Sequence, residues 1–150
     1  MTDIVQLAKK VAKKHHKGQK YGGKSLFHGH LEVVASSSLL KDDIDVAVAY
    51  LHEILDRTKY NRICSDFGPE VYLPVQTLTK ESDEEYADYI LRIKHSGDAT
   101  AIAVKISDLA AGIQHLKEVR DNGRISTEAR EMLQKYMLAF EILNNTLNYI

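Results

Sequence analysis

The sequence contains one cysteine, two prolines, no tryptophan and no long apolar run. The single Cys64 excludes an internal disulfide and a zinc site built from several thiolates, which suits a reducing cytoplasm. No apolar run approaches the roughly 20 residues that span a bilayer. The residues after Met1 lack the apolar stretch of a secretory signal. We therefore expect a cytoplasmic protein with no membrane partner.

An excess of positive charge is also absent, since the formal net charge is −1. Nonspecific nucleic-acid binding depends on such an excess, so a nucleic-acid partner is not expected. The positive charge is nevertheless uneven, because residues 4–31 hold no acid and many lysines. These lysines are Lys9, Lys10, Lys13, Lys14, Lys17, Lys20 and Lys24. They form either a solvated helix face or a positive field that attracts polyphosphate.

The scarcity of proline and glycine, together with apolar residues at helical spacing, predicts an all-α protein. A length of 150 residues fits one domain, residues 1–150, that buries most of its apolar surface. No alternating run predicts a strand, and the glycine-rich segment 18–29 predicts a loop. The first predicted helices are 3–16, 30–40, 43–57 and a short one that ends at residue 67. The next begins at Pro69 and is kinked at Pro74. The last three predicted helices begin at a capping box at 82–85 and end at 95, begin after the capping residue Asp98 and end at 116, and cover 126–150.

Several ionisable side chains fall in segments that are otherwise apolar. His52 and Glu53 lie in the run 44–56, and Asp108 lies in the run 99–116. Burying an imidazole or a carboxylate is costly unless the group is paired or binds a metal. Together with His30, these residues indicate a metal phosphohydrolase site. The alternatives are a hydrogen-bonded core histidine at 52, an Asp108 merely paired with a lysine, and His28 as a ligand.

Five blocks of the sequence, in order, resemble the hydrolase domain of RelA/SpoT-type alarmone enzymes, which have the HD-domain fold. The resemblance covers roughly residues 5 to 120. The blocks are His16-Lys17-Gly18-Gln19 with His30 to Ala35, Leu51 to Thr58, Phe67-Gly68-Pro69-Glu70-Val71 with Leu78-Thr79, Tyr89 to Ile93, and Val104 to Leu109. The resemblance implies a single HD-type helical bundle that removes pyrophosphate from the 3′ position of guanosine tetra- or pentaphosphate.

The resemblance also implies site residues. One divalent metal, usually manganese, would be held by His30, His52, Glu53 and Asp108, and this ligand set also suits Fe²⁺ or Zn²⁺. A bound metal lowers the pKa of its water and offsets charge on the attacked phosphoryl group. The remaining residues are Asp56 and Arg57, where the family handles the attacking water, and Lys20, Lys24, Arg92 and Lys105, which are expected to hold phosphates.

The sequence departs from the family pattern at the chemistry. Glu53 replaces the family's Asp, and the extra methylene moves the carboxylate by about 1 to 1.5 Å. Asp56-Arg57 replaces a Glu-Asp pair, and Gly112 replaces an Asn that lies near the nucleotide. Leu26-Phe27-His28 replaces the usual Pro-Tyr-Ile.

These departures keep further functions open. They favour hydrolysis of another nucleotide or a cyclic nucleotide, or an inactive fold that binds and sequesters a nucleotide. A fourth alternative is a scaffold in which the C-terminal helix 126–150 forms a homo-oligomer.

Overall fold

The structure, a computed structural model, describes residues 2–147, with side-chain positions through residue 146. The helices are α1 Asp3–His15, α2 Glu32–Ala35, α3 Asp43–Leu51, α4 Ile54–Arg57, α5 Ile63–Phe67, α6 Pro69–Leu78, α7 Tyr86–His95, α8 Ala99–Asp121 and α9 Thr127–Leu147. A π-helical turn, Phe27–Leu31, leads into α2. The all-α prediction is confirmed. No helix within residues 2–147 is long and apolar enough to cross a membrane.

Helices α3 and α8 form the centre of the bundle. Residues 47–51 of α3 and 101–107 of α8 are buried without interruption, as expected for helices that are apolar on every face. Helix α1 packs on α3 through an apolar stripe, and its lysines face outward. Helix α9 packs along α8 and also contacts α7. His52 at the end of α3 and Lys105 of α8 are therefore buried in the interior.

The predicted helix 43–57 is interrupted at His52–Glu53. Helix α3 ends at Leu51, and α4 begins at Ile54 after Glu53 adopts φ −107° and ψ 2°. The His52 ring bonds the carbonyl of Ala49 three residues back, at 2.6 Å. A side chain that takes a backbone carbonyl in this way competes with the helical ladder. The break turns the His-Glu pair out of a regular helix at the point where chemistry was predicted.

The predicted loop 18–29 contains a small hairpin that the sequence analysis missed. Strands β1 (Lys20–Tyr21) and β2 (Lys24–Ser25) pair antiparallel around Gly22 and Gly23. Gly22 has φ +60°, and a Cβ there would lie 2.9 Å from the His115 ring. Positive φ and close approach both require glycine at this turn. The hairpin presses Tyr21 towards α8.

Other boundaries differ from the predictions in local detail. The helix after His30 ends at Ala35 instead of residue 40. The predicted capping box at 82–85 is wrong, because α7 begins at Tyr86 and Glu85 lies at its N-cap position with no side-chain cap hydrogen bond. Asp98 does cap α8 by accepting from the Ala101 amide at 3.0 Å. The last residues of the predicted C-terminal helix, 148–150, lie outside the described residues.

Candidate metal centre

Three predicted ligands meet although they come from distant parts of the chain. His30 lies in the π-helical turn, His52 at the end of α3, and Asp108 in the middle of α8. Their ligand atoms all lie within 4.8 Å of one another. Asp108 Oδ1 is 2.7 Å from His30 Nε2 and 3.4 Å from His52 Nε2. Within residues 2–147 this is the one group of three or more His, Cys, Asp or Glu residues that could hold a metal.

His52 is oriented as a metal-binding histidine should be. Its Nδ1 donates to the Ala49 carbonyl, which fixes the ring and directs Nε2 to the cluster. That Nε2 is buried and makes no hydrogen bond. Burial alone lowers the His52 pKa, but the charge of Asp108, whose Oδ1 lies 3.4 Å from Nε2, outweighs burial and raises the pKa to about 8. A metal at Nε2 would displace this proton, since metal binding requires the neutral imidazole.

Asp108 is ionised despite its burial. Burial opposes ionisation, but the charges of Lys105 and His52 hold the pKa of Asp108 well below its usual range. Lys105 Nζ donates to Asp108 Oδ2 at 2.8 Å and lies 5.1 Å from the centre of the Tyr89 ring. The charge of Asp108 likewise outweighs burial and keeps the pKa of Lys105 well above its usual value. Lys105 therefore acts first as the counter-ion of the carboxylate.

Glu53 lies beside the cluster but is not one of its three members. Its Oε1 is 3.4 Å from Arg57 Nε. Its Oε2 is buried and has no hydrogen-bond partner. The predicted fourth ligand therefore lies next to the group of three as a half-paired carboxylate.

The donor set fits a divalent transition metal. Two imidazole nitrogens and one carboxylate oxygen suit Mn²⁺, Fe²⁺ or Zn²⁺. His52 Nε2 and Glu53 Oε2 are buried without a hydrogen-bond partner, which is costly unless a cation or water satisfies them. The alternatives of a hydrogen-bonded core histidine at 52 and an Asp108 merely paired with a lysine do not explain why His52 Nε2 and Glu53 Oε2 have no partner. His28 is exposed and pairs with Glu32, so it lies outside the cluster.

The four predicted phosphate-binding residues have different surroundings. Lys20 and Lys24 are exposed on the hairpin. Arg92 is committed to a structural role, because its guanidinium donates to both Glu84 carboxylate oxygens and to the carbonyls of Thr77 and Thr79. The geometry gives no support to the prediction that Arg92 holds a phosphate. Lys105 is in the cluster, but its ammonium already binds Asp108.

The two residues predicted to handle water lie on the rim of the site. Asp56 is an exposed residue. Partial desolvation of its carboxyl is the main cause of the raised pKa of this group, and the charge of Glu53 is the next. Arg57 is 45% exposed and faces Glu53. Arg57 is thus the cation closest in sequence to the dyad, and its charge partly offsets that of Glu53.

Two tyrosines form a wall that the sequence analysis did not single out. The Tyr21 ring stacks on His30 with centroids 4.6 Å apart. The Tyr136 ring from α9 fills the space above Gly112, where a Cβ would lie 3.1 Å from Cε2 of Tyr136. Burial is the main cause of the raised pKa of both phenols, and the charge of Asp108 is the next largest cause. Gly112, expected only as a missing Asn, is therefore the position that admits a side chain from α9.

A further buried histidine, His16, was quoted only as part of a motif. Its Nδ1 lies 2.9 Å from Gln19 Oε1, and its Nε2 is buried without a partner. Gln19 in turn donates to the Arg57 carbonyl at 2.9 Å. The occurrence of His16 and Gln19 in the same motif is the sequence feature that could have indicated their contact.

The comparisons with known proteins agree with this architecture. No family model and no curated protein matches the sequence. Among solved structures, the chain is similar to a metazoan ortholog of SpoT that hydrolyzes ppGpp, with a TM-score of 0.77 over 98% of this chain and 86% of that chain. This chain has the fold of a SpoT-type hydrolase. The sequence identity is 16%, so the likeness shows the fold alone. The predicted HD-type helical bundle is thereby confirmed.

Proposed function

We propose that this protein is a metal-dependent phosphohydrolase that cleaves a nucleotide, with guanosine tetraphosphate as its first candidate substrate. The observation that carries the proposal is the His30–His52–Asp108 cluster, in which two buried imidazoles and a buried carboxylate meet on three separate segments. Pairing with Asp108 leaves His52 Nε2 buried without a hydrogen-bond partner. A divalent cation satisfies it. The likeness of the fold to a ppGpp hydrolase supports the same choice.

The proposed reaction is hydrolysis at phosphorus. The oxygen of a water molecule forms a bond to the phosphorus, the bond from phosphorus to the 3′ oxygen breaks, and one hydrogen of the water ends on that oxygen. Guanosine tetraphosphate would yield guanosine diphosphate and pyrophosphate. A bound divalent metal, with manganese as the first to test, would supply Lewis-acid stabilisation of the phosphoryl oxygens and lower the pKa of water.

The chain's own residues supply position and charge. His30, His52 and Asp108 would hold the metal, and Lys105 keeps Asp108 ionised. Arg57 offers a guanidinium at the rim that suits bidentate binding to a phosphate, in exchange for its contact with Glu53. Lys20 and Lys24 on the hairpin would add to the positive field that attracts the substrate. Tyr21 packs on both His30 and His115 and so helps to hold the His30 ring in position.

A second candidate is a protein that binds a nucleotide without cleaving it. Arg57 stands where the related enzymes carry an acid, and it faces Glu53 instead of a water molecule. Tyr136 fills the space over Gly112. These contacts favour an altered substrate or slow turnover, whereas the metal cluster itself favours hydrolysis. Product formation separates the two functions.

The test is incubation of the purified protein with Mn²⁺ and guanosine tetraphosphate, with products resolved by anion-exchange chromatography. We expect guanosine diphosphate and pyrophosphate from the wild type and from His28→Ala, which removes an exposed histidine on the same turn. We expect no product from His52→Ala. Intact guanosine tetraphosphate with metal bound would redirect the assay to other nucleotides and cyclic nucleotides. If none of them is cleaved, the protein is not a hydrolase of this class.

A further inference from the structure

His16 is an almost fully buried histidine outside the ligand cluster. Its residue is 2% exposed, and it lies one position beyond the end of α1. His16 contacts Gln19, Gln19 donates to the Arg57 carbonyl, and Arg57 contacts Glu53, so this chain of contacts links the His16 ring to the dyad. Helix α1 packs on α3, which carries the dyad at its end. An imidazole in this position needs a hydrogen-bond partner for each nitrogen.

The hydrogen bonds of Gln19 fix which nitrogen of His16 carries the proton. The Gln19 amide nitrogen donates to the Arg57 carbonyl, so its Oε1 is the acceptor that faces His16 Nδ1. His16 Nδ1 therefore donates, and Nε2 presents a lone pair. Burial lowers the pKa of His16 and keeps the ring neutral. His52 is held in the same sense by the Ala49 carbonyl.

The nearby Glu53 carboxylate presents a second buried acceptor. Its Oε1 is turned to Arg57, and its Oε2, like His16 Nε2, is buried with no partner. Two acceptors cannot satisfy each other, because neither has a hydrogen to donate. A water molecule has two hydrogens and can satisfy both acceptors at once.

We propose that His16 Nε2 and Glu53 Oε2 bind one water molecule beside the His30–His52–Asp108 cluster, and that His16 is a positioning residue for hydrolysis. The proposal rests on the proposed function and replaces the family's water-handling acid pair with a His-Glu pair. A water molecule held by both hydrogens keeps the lone pairs of its oxygen free, as attack on phosphorus requires. The water site also gives a role to Glu53, which is not a member of the three-ligand cluster.

Kinetics of matched variants test the role of His16. His16→Phe removes the acceptor and retains a ring, and we expect kcat to fall about 100-fold through loss of water positioning. The amount of bound metal and the KM should stay near the wild-type values, because His16 is neither a metal ligand nor a phosphate-binding residue in this proposal. His16→Gln places an amide oxygen near the former Nε2 and should recover part of the lost rate. Gln19→Leu should give an intermediate loss, since it frees the His16 ring.

The control is His15→Phe. His15 lies next in the chain and packs on the Tyr60 ring with centroids 4.9 Å apart. A phenylalanine keeps that packing, so kcat should be unchanged. Equal kcat values for His16→Phe and His15→Phe would overturn the proposal. Loss of bound metal in His16→Phe would also overturn it, because His16 would then be a ligand.

A crystal structure of the metal-loaded wild type tests the water site without any activity. We expect a water oxygen within about 3 Å of both His16 Nε2 and Glu53 Oε2. A metal at His16 Nε2, or no water between the two atoms, would refute the site. If the wild type cleaves no nucleotide but the water is present, the proposed function fails and the water site stands. The same structure decides the matter if His16→Phe does not fold.

Discussion

Lys105 and Asp108 illustrate how a single pair sets the chemistry of the site. The carboxylate is 15% exposed and the lysine 11%, and their atoms are 2.8 Å apart. A buried pair of this kind contributes little net stability, but removal of one partner leaves an uncompensated charge. Lys105 thus keeps Asp108 ionised, which is the form that binds a cation. Sequence spacing predicted that Lys105 faces the site, and pairing of Asp108 with a lysine was one of the alternatives it left open.

The variant Lys105→Met tests this role. Without the ammonium, the Asp108 charge retains only its histidine partners, so we expect the metal-free protein to lose about 3 kcal/mol of unfolding free energy. Added Mn²⁺ should then raise the Tm of Lys105→Met more than that of the wild type, because the cation replaces the lost charge. Urea unfolding and thermal melts with and without metal measure both effects.

Lys117→Met, on the same helix and partly exposed, is the control and should change stability by less than about 0.5 kcal/mol. Equal metal-induced Tm shifts in Lys105→Met and the wild type would show that Lys105 is not the counter-ion of Asp108.

At the scale of elements, the approach to α7 is held by Arg92. Its guanidinium joins Glu84, before the helix, to the carbonyls of Thr77 and Thr79 at the end of α6. A capping box was predicted at 82–85 because the local spacing fits. It does not form, because α7 begins at Tyr86 and Glu85, the acid of the predicted box, lies at the N-cap position with no side-chain cap hydrogen bond.

Arg92→Lys keeps the charge and loses the planar fork, so we expect a loss of about 1 kcal/mol of unfolding free energy and an unchanged KM. Hydrogen bonds from Arg92 lower the pKa of Glu84 below its ordinary value of 4.5. The contribution of the pair is therefore present above pH 4.5 and is lost as the pH falls through the folded-state pKa. Urea unfolding at pH 7 and pH 3.5 should show the stability gap between wild type and variant narrowing. A raised KM at unchanged stability would restore Arg92 as a phosphate ligand.

The packing of α9 on α8 depends on Gly112. Alanine there would gain about 1 kcal/mol of helix propensity, but its Cβ would lie 3.1 Å from the Tyr136 ring. We expect overpacking to win, so Gly112→Ala should destabilise the protein by about 1 kcal/mol. In a Tyr136→Ala background the same change should become stabilising. A double-mutant cycle by urea unfolding gives the coupling, and additive effects would contradict this contact.

At the scale of the whole molecule, much of the architecture could be predicted from the sequence. Helical spacing and the order of the motifs indicated the bundle, and burial of ionisable groups indicated His30, His52 and Asp108. The rest depends on contacts that no local pattern carries. The break at His52 arises from a ring-to-carbonyl bond, and the fit of Tyr136 over Gly112 joins two helices. The partnerless Nε2 of His16 becomes visible only when all its neighbours are placed.

The most direct test of the central claim is equilibrium dialysis of the metal-free protein against Mn²⁺. We predict about one bound ion per chain for the wild type and for His28→Ala, and none for His52→Ala or Asp108→Ala at the same concentration. Circular dichroism should show nearly unchanged helix content in all four proteins. Stoichiometric metal in either His52→Ala or Asp108→Ala, with the fold intact, would contradict the assignment of His30, His52 and Asp108 as the metal site.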